Sequence, residues 1–336
     1  MGTTMQKANR LRVAFEEAKG PSLGCWQMIP GSNVSRALAR TGEHGNMDGR
    51  SMGSSTSRSG LSTGFASWVS ATSHGLAMAS RRPAWNLSHR EVFQSQIGRD
   101  LVSPTLTRMV LTDSLSDAAM HEAVPAIAAC GVSPIVRIPD NQGFMVKRAL
   151  DSGAHGILVP LLYTVNDAEK LVKSAKFPPV GQRGFGSPFP HERFSPFLGS
   201  TDYLQQANDA ILVMVQIETK EALENVDAIA AVPGIDVLFV GPFDLGNNIG
   251  HPIIEGKIHE DLHAAIKKVF EAARKAGKKV GIFCTSGEQS KGYVDMGFDM
   301  ISCATDVMIL QASVMGAVFT AKGLSDAPKL TGPYGK

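Results

Sequence analysis

The amino-acid sequence predicts an α/β fold, a (β/α)8 TIM barrel of parallel strands. Three observations predict it. Short runs recur that are apolar throughout rather than alternating, which is the mark of strands buried on both faces. Each run is followed by a segment with helical spacing, so helices cover the sheet. The units follow one another in a continuous rhythm, and no Gly-rich phosphate fingerprint follows the first strand, which disfavours a doubly wound open sheet.

The elements can be taken in order. "KANRLRVAFEEAK" reads as an opening helix, "SLGCWQM" (22–28) as the first strand and "SNVSRALAR" as the next helix. Further on, "SPIVRI" (133–138) is a β-branched run bounded by Pro134 and Pro139, and "QGFMVKRALDSG" is a helix closed by Gly153. "GILVP" (156–160) is a buried strand, and "NDAEKLVKSAKF" (166–177) is a helix with Asn166 as its N-cap. "AILVMVQIE" (210–218) is a strand and "TKEALENVDAIAAVPG" a helix ended by Pro233-Gly234. Strand "IDVLFVG" (235–241) precedes the amphipathic "HEDLHAAIKKVFEAARKAG". "KKVGIFC" (278–284), "GEQSKGYVDMG", "DMISCA" (299–304) and "DVMILQASVMGAVFTAKG" complete the alternation.

That makes seven strands where a barrel needs eight. The missing one belongs between Arg40 and Asp117. The segment 50–116 is rich in Ser and Arg, contains no Lys and shows no sustained period. Its best apolar pieces, "GFASWV" and "RMVLT", are short. The expectation is a single domain over 1–330 that lacks its second strand, with an irregular, disordered insertion at 50–116 in its place and a flexible tail at 323–336.

Composition excludes several classes. The chain has 336 residues, is 43% hydrophobic and carries a net charge of +2, so nothing draws it generally to nucleic acid or an anionic membrane. No apolar run approaches the length of a membrane span. The N-terminus "MGTTMQKANR" has no apolar signal core. Cys25, Cys130, Cys284 and Cys303 form no CxxC pair and no zinc-ligand spacing, which fits a reducing, cytoplasmic setting.

Catalysis in such barrels sits at the C-terminal ends of the strands. Those ends offer Arg137, then Gln216-Ile217-Glu218, then Gly241-Pro242-Phe243-Asp244, then Cys284-Thr285-Ser286. Glu218 and Asp244 are carboxylates on adjacent strand ends, a donor set for Mg²⁺ or Mn²⁺. Arg137 adds a fixed positive charge, which suits a reaction building negative charge on an oxygen. Taken singly, each has an ordinary reading: a helix-capping Asp, a helix-start Glu, a surface Arg. Lys278 and Lys279 lie at the wrong end of their strand for a Schiff-base aldolase. Arg183, in the glycine-rich "GQRGFGSPF", is a candidate for anion or oligomer contacts, while His155, His74 and His89 read as packing or surface residues.

"VRIPDNQGFMVKRALDSGAHGILVP", "KFPPVGQRGFGS", "VQIETKEALENV" and "FVGPFDLG" together give the chain a specific resemblance to the HpcH/HpaI family, the metal-dependent class II pyruvate aldolases. The likeness spans residues 6–49 and 117–322. It implies a (β/α)8 barrel, often hexameric as a trimer of dimers, whose last helix packs on a neighbouring subunit. It implies Glu218 and Asp244 as ligands of a divalent metal (Mg²⁺, Mn²⁺ or Co²⁺) and Gln216 as a substrate contact. The backbone around Phe243 and Asp244 would hold the pyruvate carboxylate, and Arg137 would stabilise the enolate oxygen. The family carries Asp-x-Glu-His at the end of its second strand. Glu43-His44 matches the second half, so His44 is the carried-over acid/base, and Asp151 would pair with it across a subunit contact. The implied reaction splits a 4-hydroxy-2-oxo acid into pyruvate, or a close 2-oxo acid, and an aldehyde.

The departures are concentrated around Glu43-His44. The family has an apolar strand directly before this pair, and here there is none. Faulty or alternative exon joining would account for both the gap and the insertion; a transcript that cleanly encodes codons 40–118 would sink that idea. Segment 64–75, "GFASWVSATSHG", loosely mimics a strand ending in His74-Gly75, but has Ser and Thr where a parallel strand wants apolar residues. A barrel open at one strand would expose two unpaired edges and leave the base unpositioned, so the alternative to an active aldolase is a catalytically impaired or inactive relative. A lyase acting on CoA thioesters ranks lower, because no added basic surface offers to hold the diphosphate.

Overall fold

The computed structural model describes residues 2–18, 20–41, 116–324 and, for the main chain, 106–111. Eight parallel strands close on themselves in sequence order. They are β1 (Ser22–Gln27), β2 (Leu106–Leu111), β3 (Ser133–Arg137), β4 (Gly156–Val159), β5 (Leu212–Ile217), β6 (Val237–Val240), β7 (Lys279–Phe283) and β8 (Met300–Thr305). Seven of them fall within the seven apolar runs or one residue beyond.

The second position, expected to be vacant, is filled. Residues Leu106–Leu111, from the segment expected to be irregular, pair with β1 (Cys25↔Met109, Gln27↔Leu111) and with β3 (Arg108↔Ser133, Leu111↔Val136). This corrects the missing-strand expectation, and residues 64–75 are not needed to fill the slot. The physical reason is that a strand between two neighbours satisfies the N–H and C=O rows of both edges, which would otherwise stay unpaired inside the protein. The strand includes most of "RMVLT", a run too short for periodicity alone to promote. Thr112-Asp113 follows it in sequence, not Glu-His. Glu43-His44 is therefore not the end of this strand, and His44, with His74 and His89, lies outside the described residues.

The helices depart from expectation in small, explicable ways. The opening helix is two, α1 (Thr4–Ala8) and α2 (Arg10–Glu17), because Asn9 turns aside to cap α2 through its side chain. After α3 (Ser32–Arg40), α4 (Asp117–Ala128) and α5 (Gly143–Asp151), helix α6 (Val165–Ala175) is capped by Thr164 rather than Asn166. There Thr164 and Asp167 bond reciprocally, forming a capping box. Helix α7 (Ser200–Ala210) was not anticipated. The segment after β5 breaks at Asn225 into α8 (Lys220–Glu224) and α9 (Val226–Ala231). Then come α10 (Pro242–Asn248), α11 (Glu260–Lys275), α12 (Gly287–Met296) and α13 (Asp306–Ala321). Among the described helices, none is long and apolar enough to cross a membrane.

Two cores result. The barrel interior is filled by Trp26, Ile135, Leu158, Met214, Phe239, Phe283 and Met300, and α2 adds Leu11 and Phe15 to this cluster. The second core lies between strands and helices. At the N-terminal ends of β3 to β5, a polar network ties α2 in place. Asn9 Nδ2 donates to the carbonyls of His155 (2.8 Å) and Ala210 (2.9 Å), and Ser133 Oγ bonds Asn9 Oδ1 (3.0 Å) and His155 Nδ1 (3.1 Å). Barrel closure has its own clasp: Asp306, after β8, accepts from the Met28 N–H (2.9 Å) and the Ile29 N–H (2.8 Å), just after β1.

Candidate active site

Four strands bring the site together at the C-terminal mouth. β3 ends in Arg137, β5 carries Gln216 and hands on to Glu218, and β6 leads through Gly241 into α10, whose first turn holds Asp244. β4, between β3 and β5, contributes the main chain of Leu161 just after its end.

These groups form one chain of hydrogen bonds. Arg137 Nε donates to Gln216 Oε1 at 3.1 Å, and Gln216 Nε2 donates to Glu218 Oε2. The amide of Gln216 is thereby fixed at both ends, oxygen toward the cation and nitrogen toward the anion. The Leu161 N–H donates to Glu218 Oε1 at 2.9 Å. Leu161 reaches this position with φ +51°, a left-handed conformation that side chains other than glycine adopt at a cost of about 1–2 kcal/mol.

Glu218 is completely buried. Burial pushes its carboxyl up to about 7; the Asp244 charge adds to the rise, while the Leu161 N–H, Arg137 and Gln216 oppose it. A buried carboxylate next to a second carboxylate is a site short of positive charge. Hard oxygen donors of this kind suit Mg²⁺ or Mn²⁺. The packing leaves Glu218 no slack: a Cβ at position 241 would stand 2.2 Å from Glu218 Oε2 and 2.6 Å from Gln216 Nε2. Only glycine lets β6 approach the carboxylate this closely.

The sequence-derived residues divide into two groups. Arg137, Gln216 and Glu218 are in direct hydrogen-bonded contact, and Asp244 is near enough to act on Glu218. Phe243, half-buried, sets its ring 6.3 Å from Phe283, which meets Trp26 edge-on at 5.3 Å, so the aromatic packing of the barrel interior extends to the start of α10. Asp151 is elsewhere. It ends α5, which runs back toward the N-terminal ends of the strands, where it pairs with Lys147 and with Arg183 Nη2 at 3.0 Å. Arg183 is buried, bonds the Tyr203 hydroxyl at 3.0 Å and lies 4.5 Å over the Phe177 ring. It thus holds its own chain's loop together. Asp151 cannot act at the mouth of its own barrel from there. Sequence reasoning missed Leu161 and Gly241. Their roles are made by main chain, and the only signal was a position just beyond a strand end.

A buried acid–amide–arginine chain at the carboxyl mouth of a closed parallel barrel defines a barrel enzyme, and the comparisons make it a lyase. The HpcH/HpaI aldolase/citrate lyase family description matches residues 115–312, and this chain belongs to that family. A hydroxypyruvate/pyruvate aldolase of Chromohalobacter salexigens is 34% identical over 198 residues, 59% of this chain and 76% of the relative. A 4-hydroxy-2-oxo-heptane-1,7-dioate aldolase of Klebsiella pneumoniae is 37% identical over 197 residues, 58% of this chain and 73% of the relative. Among solved structures, an HpcH/HpaI aldolase/citrate lyase family protein from Burkholderia cenocepacia superposes with a TM-score of 0.68 at 25% identity, covering 94% of this chain and 99% of the other.

Proposed function

We propose that this chain is a divalent-metal-dependent aldolase that cleaves and forms 4-hydroxy-2-oxo acids, exchanging them with pyruvate, or a close 2-oxo acid, and an aldehyde. The observation that carries this reading is the buried Glu218, bonded through Gln216 to Arg137 and facing the Asp244 charge at the barrel mouth. Glu218 and Asp244 would hold the ion. When bound, it supplies Lewis-acid compensation for charge developing on a substrate oxygen. Arg137 places a second fixed positive charge for the same oxygen, in a site where little water competes. Gln216, locked by both neighbours, orients the substrate, and the main chain around Phe243 and Asp244 receives its carboxylate. His44 is the proposed carrier of the 4-hydroxyl proton.

The impaired-relative reading rested on an open barrel and an unpositioned base, and the pairing of β2 with both neighbours removes the first premise. The exposed apolar side chains of α13, Ile309, Leu310, Val314 and Val318, support the expected homo-oligomer, in which Asp151 would serve a neighbour's mouth. The deciding experiment strips the purified full chain with chelator, restores Mg²⁺, Mn²⁺ or Co²⁺, and follows pyruvate release from a panel of 4-hydroxy-2-oxo acids. Metal-restored cleavage that Glu218→Ala abolishes is the expected result. A folded chain that releases no pyruvate from any panel member with any of the three ions would overturn it.

A further inference from the structure

The loop from α10 to α11 gathers three metal-binding side chains that the proposed reaction does not use. His251 lies in the loop, His259 caps α11, and Asp261 stands in its first turn. Their ligand atoms all lie within 4.8 Å of one another. Asp261 Oδ2 is 2.9 Å from His251 Nε2 and 3.3 Å from His259 Nδ1. With zinc–nitrogen and zinc–oxygen distances near 2.1 Å, neighbouring ligand atoms of a tetrahedral site stand about 3.4 Å apart. Both separations are already close to such an edge.

The two imidazoles stack with centroids 4.0 Å apart and planes 10° from parallel, so one exposed ring must rotate about its side-chain torsions to bring a shared ion into the plane of both. His259 Nδ1 accepts the Asp261 N–H at 3.2 Å, so the lone pair of that nitrogen faces the start of α11. Coordination would replace that hydrogen bond. His251 is held by its main chain, whose N–H donates to the Gly246 carbonyl at 2.8 Å. A Cβ at Gly246 would stand 2.8 Å from the His251 carbonyl, so glycine permits the loop to fold back on α10.

We propose that His251, His259 and Asp261 form a second metal site, separate from the Glu218–Asp244 pair. Two imidazoles and one carboxylate select Zn²⁺ or a similar transition ion over Mg²⁺, which wants oxygen ligands. All three side chains reach solvent, so the remaining coordination position is open to water and the ion can exchange. Occupancy would tie the loop behind α10 to the start of α11. The proposal does not depend on the aldolase reading.

The test is made in the untagged Glu218→Ala/Asp244→Ala chain, where the carboxylate pair at the barrel mouth is gone. Equilibrium dialysis against zinc with elemental analysis should find one equivalent that disappears when His251→Ala and His259→Ala are added. Cobalt should give the intense visible bands of a four-coordinate ion in the background chain and lose them in the histidine variants. A single His251→Gln change in the otherwise unaltered chain, folded by circular dichroism, should weaken zinc binding at least about tenfold, the scale set by losing one ordered ligand contact. Zinc content unchanged by the histidine substitutions, or no zinc taken up by the background chain, would overturn the proposal.

Discussion

The two ends of the barrel bury polar groups in opposite ways. At the N-terminal end, Asn9, Ser133 and His155 satisfy one another and the main chain, and His155 also bonds the Arg193 carbonyl at 3.0 Å. Burial drives the His155 imidazole down to about 4, so the network is neutral. At the C-terminal end, Glu218 has a comparable number of partners, yet it is a carboxylate facing a second carboxylate, and its proton affinity rises instead. Burial is common to both. What separates a seal from a site is whether the local charges cancel.

Breaking the charged end should have the largest effect. Glu218→Ala or Asp244→Ala is expected to lower metal-dependent pyruvate release by about three orders of magnitude with little change in folding. Steady-state assays across a metal titration check this, and a mere shift in substrate affinity would count against the ligand role. Arg137→Ala should follow, with about a hundredfold loss appearing in kcat rather than KM, as expected for a group that acts on developing charge.

Breaking the neutral end should leave chemistry alone and reduce stability. Asn9→Ala removes the amide's bonds to the His155 and Ala210 carbonyls and to Ser133 Oγ, each of which keeps another partner, at a cost of about 2–3 kcal/mol in urea unfolding. The same end should respond to acid. His155 falls from an ordinary 6.5 to about 4 on folding, so the stability it contributes is complete above pH 6.5 and lost as pH falls toward 4. The loss totals about 3 kcal/mol. His155→Gln should flatten the dependence of the urea midpoint between pH 7 and pH 4; an unchanged slope would mean that other groups control it. The smallest effect sharpens the comparison from the side of packing. Gly241→Ala forces a Cβ against Glu218 and should weaken metal affinity about tenfold to a hundredfold while the chain stays folded.

Most of the architecture could be read from the sequence because parallel strands buried on both faces are continuous apolar runs, and the strand-end rule then picked out Arg137, Gln216, Glu218 and Asp244. Three things were not legible. Leu106–Leu111 is a strand because of its two neighbours, and six residues carry too little pattern to announce it. Asn9 and Asn225 break helices through their surroundings, which no local propensity encodes. Leu161 serves the site through its main chain, so its residue type says nothing of the role, and Gly241 does so by lacking a side chain, a need that only the closeness of Glu218 reveals. Asp151 is a different case. The resemblance assigns it a role across a subunit contact, and its place at the far end of its own barrel follows from the direction in which α5 runs.

The clasp between Asp306 and the Met28–Ile29 N–H groups joins residues 278 positions apart. A ribosome adding about 5–20 residues per second needs roughly 15–55 s to make that interval. Through all of it β1 waits without its β8 partner, and the barrel cannot close until Met300–Thr305 has been made. Nascent chains therefore carry an unpaired sheet edge throughout that interval, a template for pairing with another chain until β8 covers it.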